Sequence, residues 1–170
     1  MTVLAFAASN SSTSINHQLV SYAASLCGDT KVIKLTDYDI PLYDPDHENE
    51  HGIPGEVQRL HDEIAAADAL IISLAEHNGS PSAFFKSQID WLSRHNRPFL
   101  QGKKIILLAT SPGAGGAQSA LSITEKMLPF FDGEVVATVS VPKFYEVFQD
   151  DKLIDNDLDQ QLKAALAKLS

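Results

Sequence analysis

The residues AASNSSTSIN, positions 7–16, put five hydroxyl side chains, Ser9, Ser11, Ser12, Thr13 and Ser14, between an apolar run and a helical pattern that opens near Asn16. A helix start offers unpaired backbone N–H groups and the positive end of the helix dipole. With hydroxyl donors beside it, the N–H groups around Ile15 and Asn16 can hold a phosphate dianion with no formal counter-charge. An isolated Ser/Thr/Asn run reads equally as a turn with an N-cap. Two further polar, glycine-bearing loops strengthen the phosphate reading. In AEHNGS, Ala75, Glu76, His77 and Asn78 lead to Gly79, which lets a flat ring approach the chain closely. In SPGAGG, Ser111, Gly113, Gly115 and Gly116 run into another helix, whose N–H groups can donate and whose dipole favours negative charge on a ligand.

Other reactive side chains point elsewhere. HENEH, residues 47–51, matches the zinc-protease pattern H-E-x-x-H, which requires a helix to bring both imidazoles to one face. Pro45 before it, Gly52 and Pro54 after it, and the lack of an apolar stripe predict an exposed acidic loop and no metal site. The single Cys27, at the end of a helical pattern, reads as a packed thiol. No side chain stands out as an essential catalytic acid or base.

Apolar runs at Val3–Ala8, Val32–Leu35, Ala69–Leu74, Ile105–Thr110 and Val135–Val139 have strand length, and helical spacing separates them. The runs at 3, 69 and 105 are apolar at nearly every position, as strands covered on both faces are, while the one containing Lys34 is mixed and suits an edge. The predicted helices carry stripes such as Ile15, Leu19, Tyr22, Ala23 and Leu26, or Val57, Leu60 and Ile64 after Pro54. A third holds Phe85, Ile89 and Leu92, with Lys86, Asp90 and Arg94 spaced for ion pairs and Trp91 and Phe84 facing a packing surface. A fourth spans about 116–129, and a fifth repeats Leu158, Leu162, Ala165 and Leu169.

Alternation of this kind specifies an α/β fold: a parallel sheet with right-handed crossovers and helices on both faces. Five such units favour the flavodoxin-like sandwich with strand order 2-1-3-4-5, as one domain over 1–170. Ligands in such sheets sit beyond the carboxyl ends of the strands, where the winding reverses, and the three loops share that edge. No G-x-G-x-x-G follows the first strand, which argues against a dinucleotide-type Rossmann site.

The 170 residues, 44% hydrophobic and 21% charged, carry a formal charge of −9, so the surface field repels nucleic acid. No apolar run approaches the roughly 18–20 residues of a membrane helix, and a cytoplasmic location with no membrane partner is expected.

EHNGSPSAFFKSQIDWLSR, residues 76–94, resembles the P-E-Y-N-G-S-x-P-G-x-L-K-N-A-I-D-W-L-S-R segment of the NAD(P)H-dependent FMN reductases, a flavodoxin-like family that includes quinone, azo-dye and chromate reductases. ASNSSTSIN is similar to the family's phosphate loop G-S-x-R-x-x-S-x-N, SPGAGGA to its third flavin loop, and DIPLYD, residues 39–44, is also family-like. Ser11 stands where the family usually has arginine, Ala8 where it has glycine, Ala75 where it has proline and His77 where it has tyrosine.

The resemblance implies FMN held by Ser9, Ser11, Ser14, Ile15, Asn16, the 75–79 loop and Ser111, Gly113, Gly115 and Gly116. It further implies NADPH or NADH as co-substrate, a quinone or similar small electron acceptor, and a homodimer or homotetramer. Hydride would pass from the nicotinamide to FMN and on to the acceptor, with His77 a candidate ring contact. Two other functions fit the same loops: an electron-transfer flavodoxin, set against by the lack of a Trp or Tyr in the ring-binding loops, and a flavin-free binding or regulatory protein, suggested by Ser11, Ala75 and His77.

Overall fold

A computed structural model describes residues 1–169. Its strands are β1 (Val3–Ala8), β2 (Thr30–Lys34), β3 (Ala69–Leu74), β4 (Glu76–His77), β5 (Ser80–Pro81), β6 (Lys104–Thr110), β7 (Glu134–Val141), β8 (Phe148–Gln149) and β9 (Lys152–Leu153). Its helices are α1 (Ile15–Ser25), α2 (Pro45–His51), α3 (Gly55–Ala66), α4 (Ala83–His95), α5 (Gln118–Met127), α6 (Phe144–Val147) and α7 (Asn156–Leu166). Short 3-10 turns follow β2, α5 and α7.

The main sheet has five parallel strands in the order β2-β1-β3-β6-β7, the flavodoxin-like winding expected from the alternation of elements. Successive side chains of a strand point to opposite faces. Leu4, Phe6 and Ala8 of β1 therefore pack with α3, α4 and α5, while Val3, Ala5 and Ala7 pack with α1 and α7. Burial on both sides explains why β1, β3 and β6 read as nearly unbroken apolar runs. β2 lies at an edge, and Lys31, Val32 and Lys34 there are exposed. Cys27 is half-buried against the α1–α7 face, and burial pushes its thiol up.

HENEH forms a helix, not the loop expected. Pro45 occupies the first turn of α2, where a missing N–H costs nothing, the Asp44 carboxylate accepts the Asp46 N–H at 2.9 Å, and Gly52 at φ +76° ends the helix. The residues that argued against a helix are its start and stop signals. His47 and His51 do meet, with ring centroids 4.8 Å apart. Glu48 is committed to Arg94, 2.9 Å away, and to the Tyr43 hydroxyl, and no set of three or more metal-ligating side chains gathers among the described residues. Arg94 thus pairs across to α2, while Lys86 and Asp90 pair along α4 at 2.7 Å.

Trp91 is fully buried on α4; its indole N–H donates to the Pro41 carbonyl at 2.9 Å, and the Tyr43 and His47 rings meet it edge-on at 5.0 and 5.9 Å. This clasp docks the segment 41–51 onto α4.

On the other face, the Tyr22 hydroxyl of α1 donates to the Asp159 carboxylate of α7 at 2.6 Å, and Lys163 pairs with the same carboxylate at 2.6 Å. Lys163 and then Tyr22 hold the Asp159 carboxyl below its usual range, so their stabilisation is present above that range and fades as pH falls through it. Burial, then the Asp159 bond, pushes the Tyr22 phenol up to about 12. That contribution is complete below the ordinary phenol value of about 10 and is lost as pH rises from there to about 12. Tyr22→Phe is expected to cost about 1–2 kcal/mol at neutral pH, and urea midpoints of the two proteins should converge between about pH 10 and 12.

Candidate functional site

β1, β3 and β6 end side by side on one edge of the sheet, and the loops that leave them converge there. Leaving β1, the chain runs as a chain of hydroxyl caps: Ser9 Oγ accepts the Ser11 N–H at 3.2 Å and Ser11 Oγ accepts the Thr13 N–H at 3.3 Å. Ser14, extended at ψ 118°, is the N-cap of α1 and accepts the His17 N–H at 3.2 Å. The helix starts at Ile15, one residue before the expected start. Among the described residues the N–H groups of Ile15 and Asn16 meet no acceptor, as first-turn donors without a ligand do.

The Asn16 side chain has another task. Only 3% exposed, it accepts from the Ser73 hydroxyl of β3 at 2.8 Å and from the Thr110 N–H of β6 at 3.1 Å, and its amide donates to the Thr110 carbonyl at 3.4 Å. It ties the first turn of α1 to the ends of β3 and β6, leaving only its backbone N–H for a ligand. Ser82, the N-cap of α4, donates to the Ala8 carbonyl at 2.9 Å and fixes the end of β1 to the segment after β5.

The second loop is a hairpin that the sequence reading missed. β4 and β5 pair antiparallel around Asn78 at φ +53° and Gly79 at φ +74°, the paired positive values of a type I′ turn. The Asn-Gly pair was the available signal. Here the glycine serves the turn. Glu76 Oε2 accepts the Ala120 N–H at 2.9 Å, capping α5 from a different strand because the α5 N-cap, Ala117, has no side-chain acceptor.

α5 accordingly begins at Gln118 and not at 116, since Gly116 and Ala117 are both left-handed, at φ +54° and +56°. Gly116 packs against β7: its carbonyl accepts from Ser140 Oγ at 2.8 Å, and a Cβ at this position would overlap that oxygen and stand 3.1 Å from the Pro142 nitrogen. The Gly113 carbonyl accepts the Lys143 N–H at 2.9 Å, and the Ser111 carbonyl accepts the Phe144 N–H at 3.0 Å.

Between these loops lies a cleft of about 280 Å³. Of the expected site residues, Ser9, Ser11, Ser14, Ile15, Asn16, Ala75, Glu76, His77 and Ser111 line it. Asn78, Gly79, Gly113, Gly115 and Gly116 do not; they shape the two loops from behind or beyond the lining. Thr110, Pro112 and Tyr145 line it as well. Tyr145, 68% exposed, was illegible because it follows β7, and only the bonds from Lys143 and Phe144 to the third loop bring α6 to this edge. No lysine or arginine lines the cleft.

The pattern of the family described as NADPH-dependent FMN reductase matches residues 1–146. The chain belongs to that family. An NAD(P)H-dependent FMN reductase of Pseudomonas aeruginosa is 34% identical over 131 residues, covering 76% of this chain and 70% of that protein. A quinone reductase of Escherichia coli K12 is 37% identical over 98 residues, 58% of this chain, so the match spans about half of that relative, 52%. Among solved structures, the flavoenzyme NAD(P)H:(acceptor) oxidoreductase FerB of Paracoccus denitrificans superposes with a TM-score of 0.79 at 26% identity, covering 99% of this chain and 94% of that one.

Against the family's phosphate loop, this FMN reductase relative has Ser11 in place of the arginine, with its hydroxyl turned to the Thr13 N–H. The donor set nonetheless suits a phosphate monoester: free N–H groups of the first turn of α1 with serine and threonine hydroxyls around them. An FMN phosphate there would be held by neutral donors alone.

Proposed function

We propose that this FMN reductase-family chain is an NAD(P)H-dependent flavin oxidoreductase that reduces a quinone or a similar small acceptor, working in the cytoplasm as one flavodoxin-like domain over residues 1–170 in a homodimer or homotetramer. The observation that carries it is the cleft where the ends of β1, β3 and β6 meet, lined by hydroxyls, first-turn N–H groups and the side chains of His77 and Tyr145. The names of the relatives from Pseudomonas aeruginosa and Escherichia coli agree with it. Among the described residues no helix is long and apolar enough to cross a membrane, which fits the proposed location.

Bound FMN would supply the redox chemistry, taking a hydride from a nicotinamide and passing the electrons to the acceptor. The protein's part is to bind and to orient. Ile15 and Asn16 would donate their N–H groups to the phosphate, with Ser9, Ser11, Thr13 and Ser14 closing around it. The Asn16 side chain fixes where those donors stand relative to β3 and β6. His77 and Tyr145, both exposed at the cleft, would flank the ring, and Glu76 keeps the second loop against α5. No group is assigned a proton-transfer role.

Tyr145 favours a second reading, because an exposed aromatic ring at the cleft is what a tightly held, electron-carrying flavin would stack on. One experiment separates the two. Flavin-free protein titrated with FMN should turn yellow with a stoichiometry of one per chain and then oxidise NADPH or NADH when a quinone is supplied. Yellow protein inert to both nucleotides would support the carrier, and protein that takes up no FMN would end both readings.

A further inference from the structure

The first loop is a wall with a cleft on each side. Across it from the proposed flavin cleft lies a larger hollow of about 410 Å³ between the loop and the end of β2, within the size range of about 300–1,000 Å³ typical of small-ligand sites. Ser9, Ser11, Thr13 and Ser14 line both. The far wall of the larger hollow is Lys34, Thr36 and Asp37, with His17 of α1 between.

Its charges are disposed unlike those around it. In the neighbouring groove Lys31 pairs with Glu63 at 2.6 Å, and Arg59 is bound to Glu56 and lies over the Tyr38 ring. The Lys34 side chain makes no ion pair or hydrogen bond among the described residues, and burial, then Lys34 itself, holds the His17 imidazole below its usual value against the opposing pull of Asp37. Neutral His17 leaves Lys34 as the cation of the hollow, facing one carboxylate, Asp37.

A nicotinamide dinucleotide that presents its nicotinamide to a flavin must place its adenosine half outside the flavin cleft, and the pyrophosphate between them needs hydrogen-bond donors. The first loop presents the exposed Ser12 and Thr13 hydroxyls to the larger hollow. The side chains at the end of β2 have the chemistry to read a ribose: a carboxylate accepts from a 2′-hydroxyl, and a cation pairs with a 2′-phosphate. Both kinds are present here, on one wall.

We propose that the cleft between the first loop and the end of β2 seats the adenosine ribose of the nicotinamide co-substrate, Lys34 taking a 2′-phosphate and Asp37 a 2′-hydroxyl. This rests on the oxidoreductase reading for its substrate, and the two residues then set the choice between NADPH and NADH.

The test has two arms. In the first, the full chain is titrated with adenosine 2′,5′-bisphosphate and backbone amide resonances are followed, with no flavin needed. Shifts should centre on His17, Lys34, Thr36 and Asp37, and Lys34→Ala should weaken binding by about tenfold or more, with Lys34→Arg retaining most of it. In the second, the NADPH/NADH ratio of kcat/KM is measured on FMN-loaded enzyme. Lys34→Ala should lower that ratio about tenfold, Asp37→Asn should raise it, and Lys31→Ala, on a lysine already paired outside this cleft, should leave it unchanged. Shifts confined to the flavin cleft, or a ratio unmoved by both Lys34→Ala and Asp37→Asn, would overturn the proposal. A chain that takes no FMN ends the oxidoreductase reading by itself, and the bisphosphate titration still decides this one.

Discussion

Replacing Asn16 with leucine is expected to lower stability by about 2–4 kcal/mol and to weaken FMN binding at least tenfold. The leucine would leave the Ser73 hydroxyl and the Thr110 N–H buried without their acceptor, and a buried donor stripped of its partner costs about 1–3 kcal/mol. The second loss follows from the first. Asn16 is what fixes the first turn of α1 against the ends of β3 and β6, so without it the free N–H groups no longer hold their position relative to the rest of the cleft. Ser73→Ala is the control: it removes one bond and spares the one to Thr110, and should cost about 1 kcal/mol with little change in flavin affinity. Urea unfolding followed by circular dichroism, with FMN titration of each protein, measures both quantities. An Asn16→Leu protein that kept wild-type flavin affinity would separate the knot from the site.

Gly116→Ala should be about as damaging, for a different reason. A left-handed conformation costs an L-residue about 1–2 kcal/mol, and the added methyl must displace Ser140 Oγ and press on the Pro142 backbone, an overpacking cost of about 1–3 kcal/mol. The expected loss is about 2–4 kcal/mol by urea unfolding. Adding Ser140→Ala should restore part of it, since that removes the yielding obstacle and leaves the backbone of Pro142 in place. Full restoration would mean that the clash with Ser140 was the whole cost, and no restoration that the φ angle and the Pro142 backbone together were. Gly113 and Gly115, whose Cβ positions are open, should accept alanine far more easily.

These two residues also show what could be read from the sequence and what could not. The central strands and their order were legible because burial on both faces forces unbroken apolar runs, and the β1 and β3 boundaries agree with the expected residues. That the first loop lies at the end of β1 followed from the same pattern. What the loop side chains do there did not follow, because the partners of Asn16 lie 57 and 94 residues away along the chain. Gly116 looked like a ligand-facing glycine, and only its contact with β7 reveals a packing role. α2 was missed by treating proline and glycine as breakers when their order, proline first and glycine last, marks a short helix. Tyr145 had no local signal at all, since its place at the cleft is set by hydrogen bonds from its neighbours to a distant loop.

The clasp around Trp91 bears on how any of these variants should be watched. The chain has one tryptophan, and its indole is held by a carbonyl from residue 41 and by rings from residues 43 and 47. In the flavin-free protein, tryptophan emission is therefore a gauge of whether the stretch 41–51 is seated on α4.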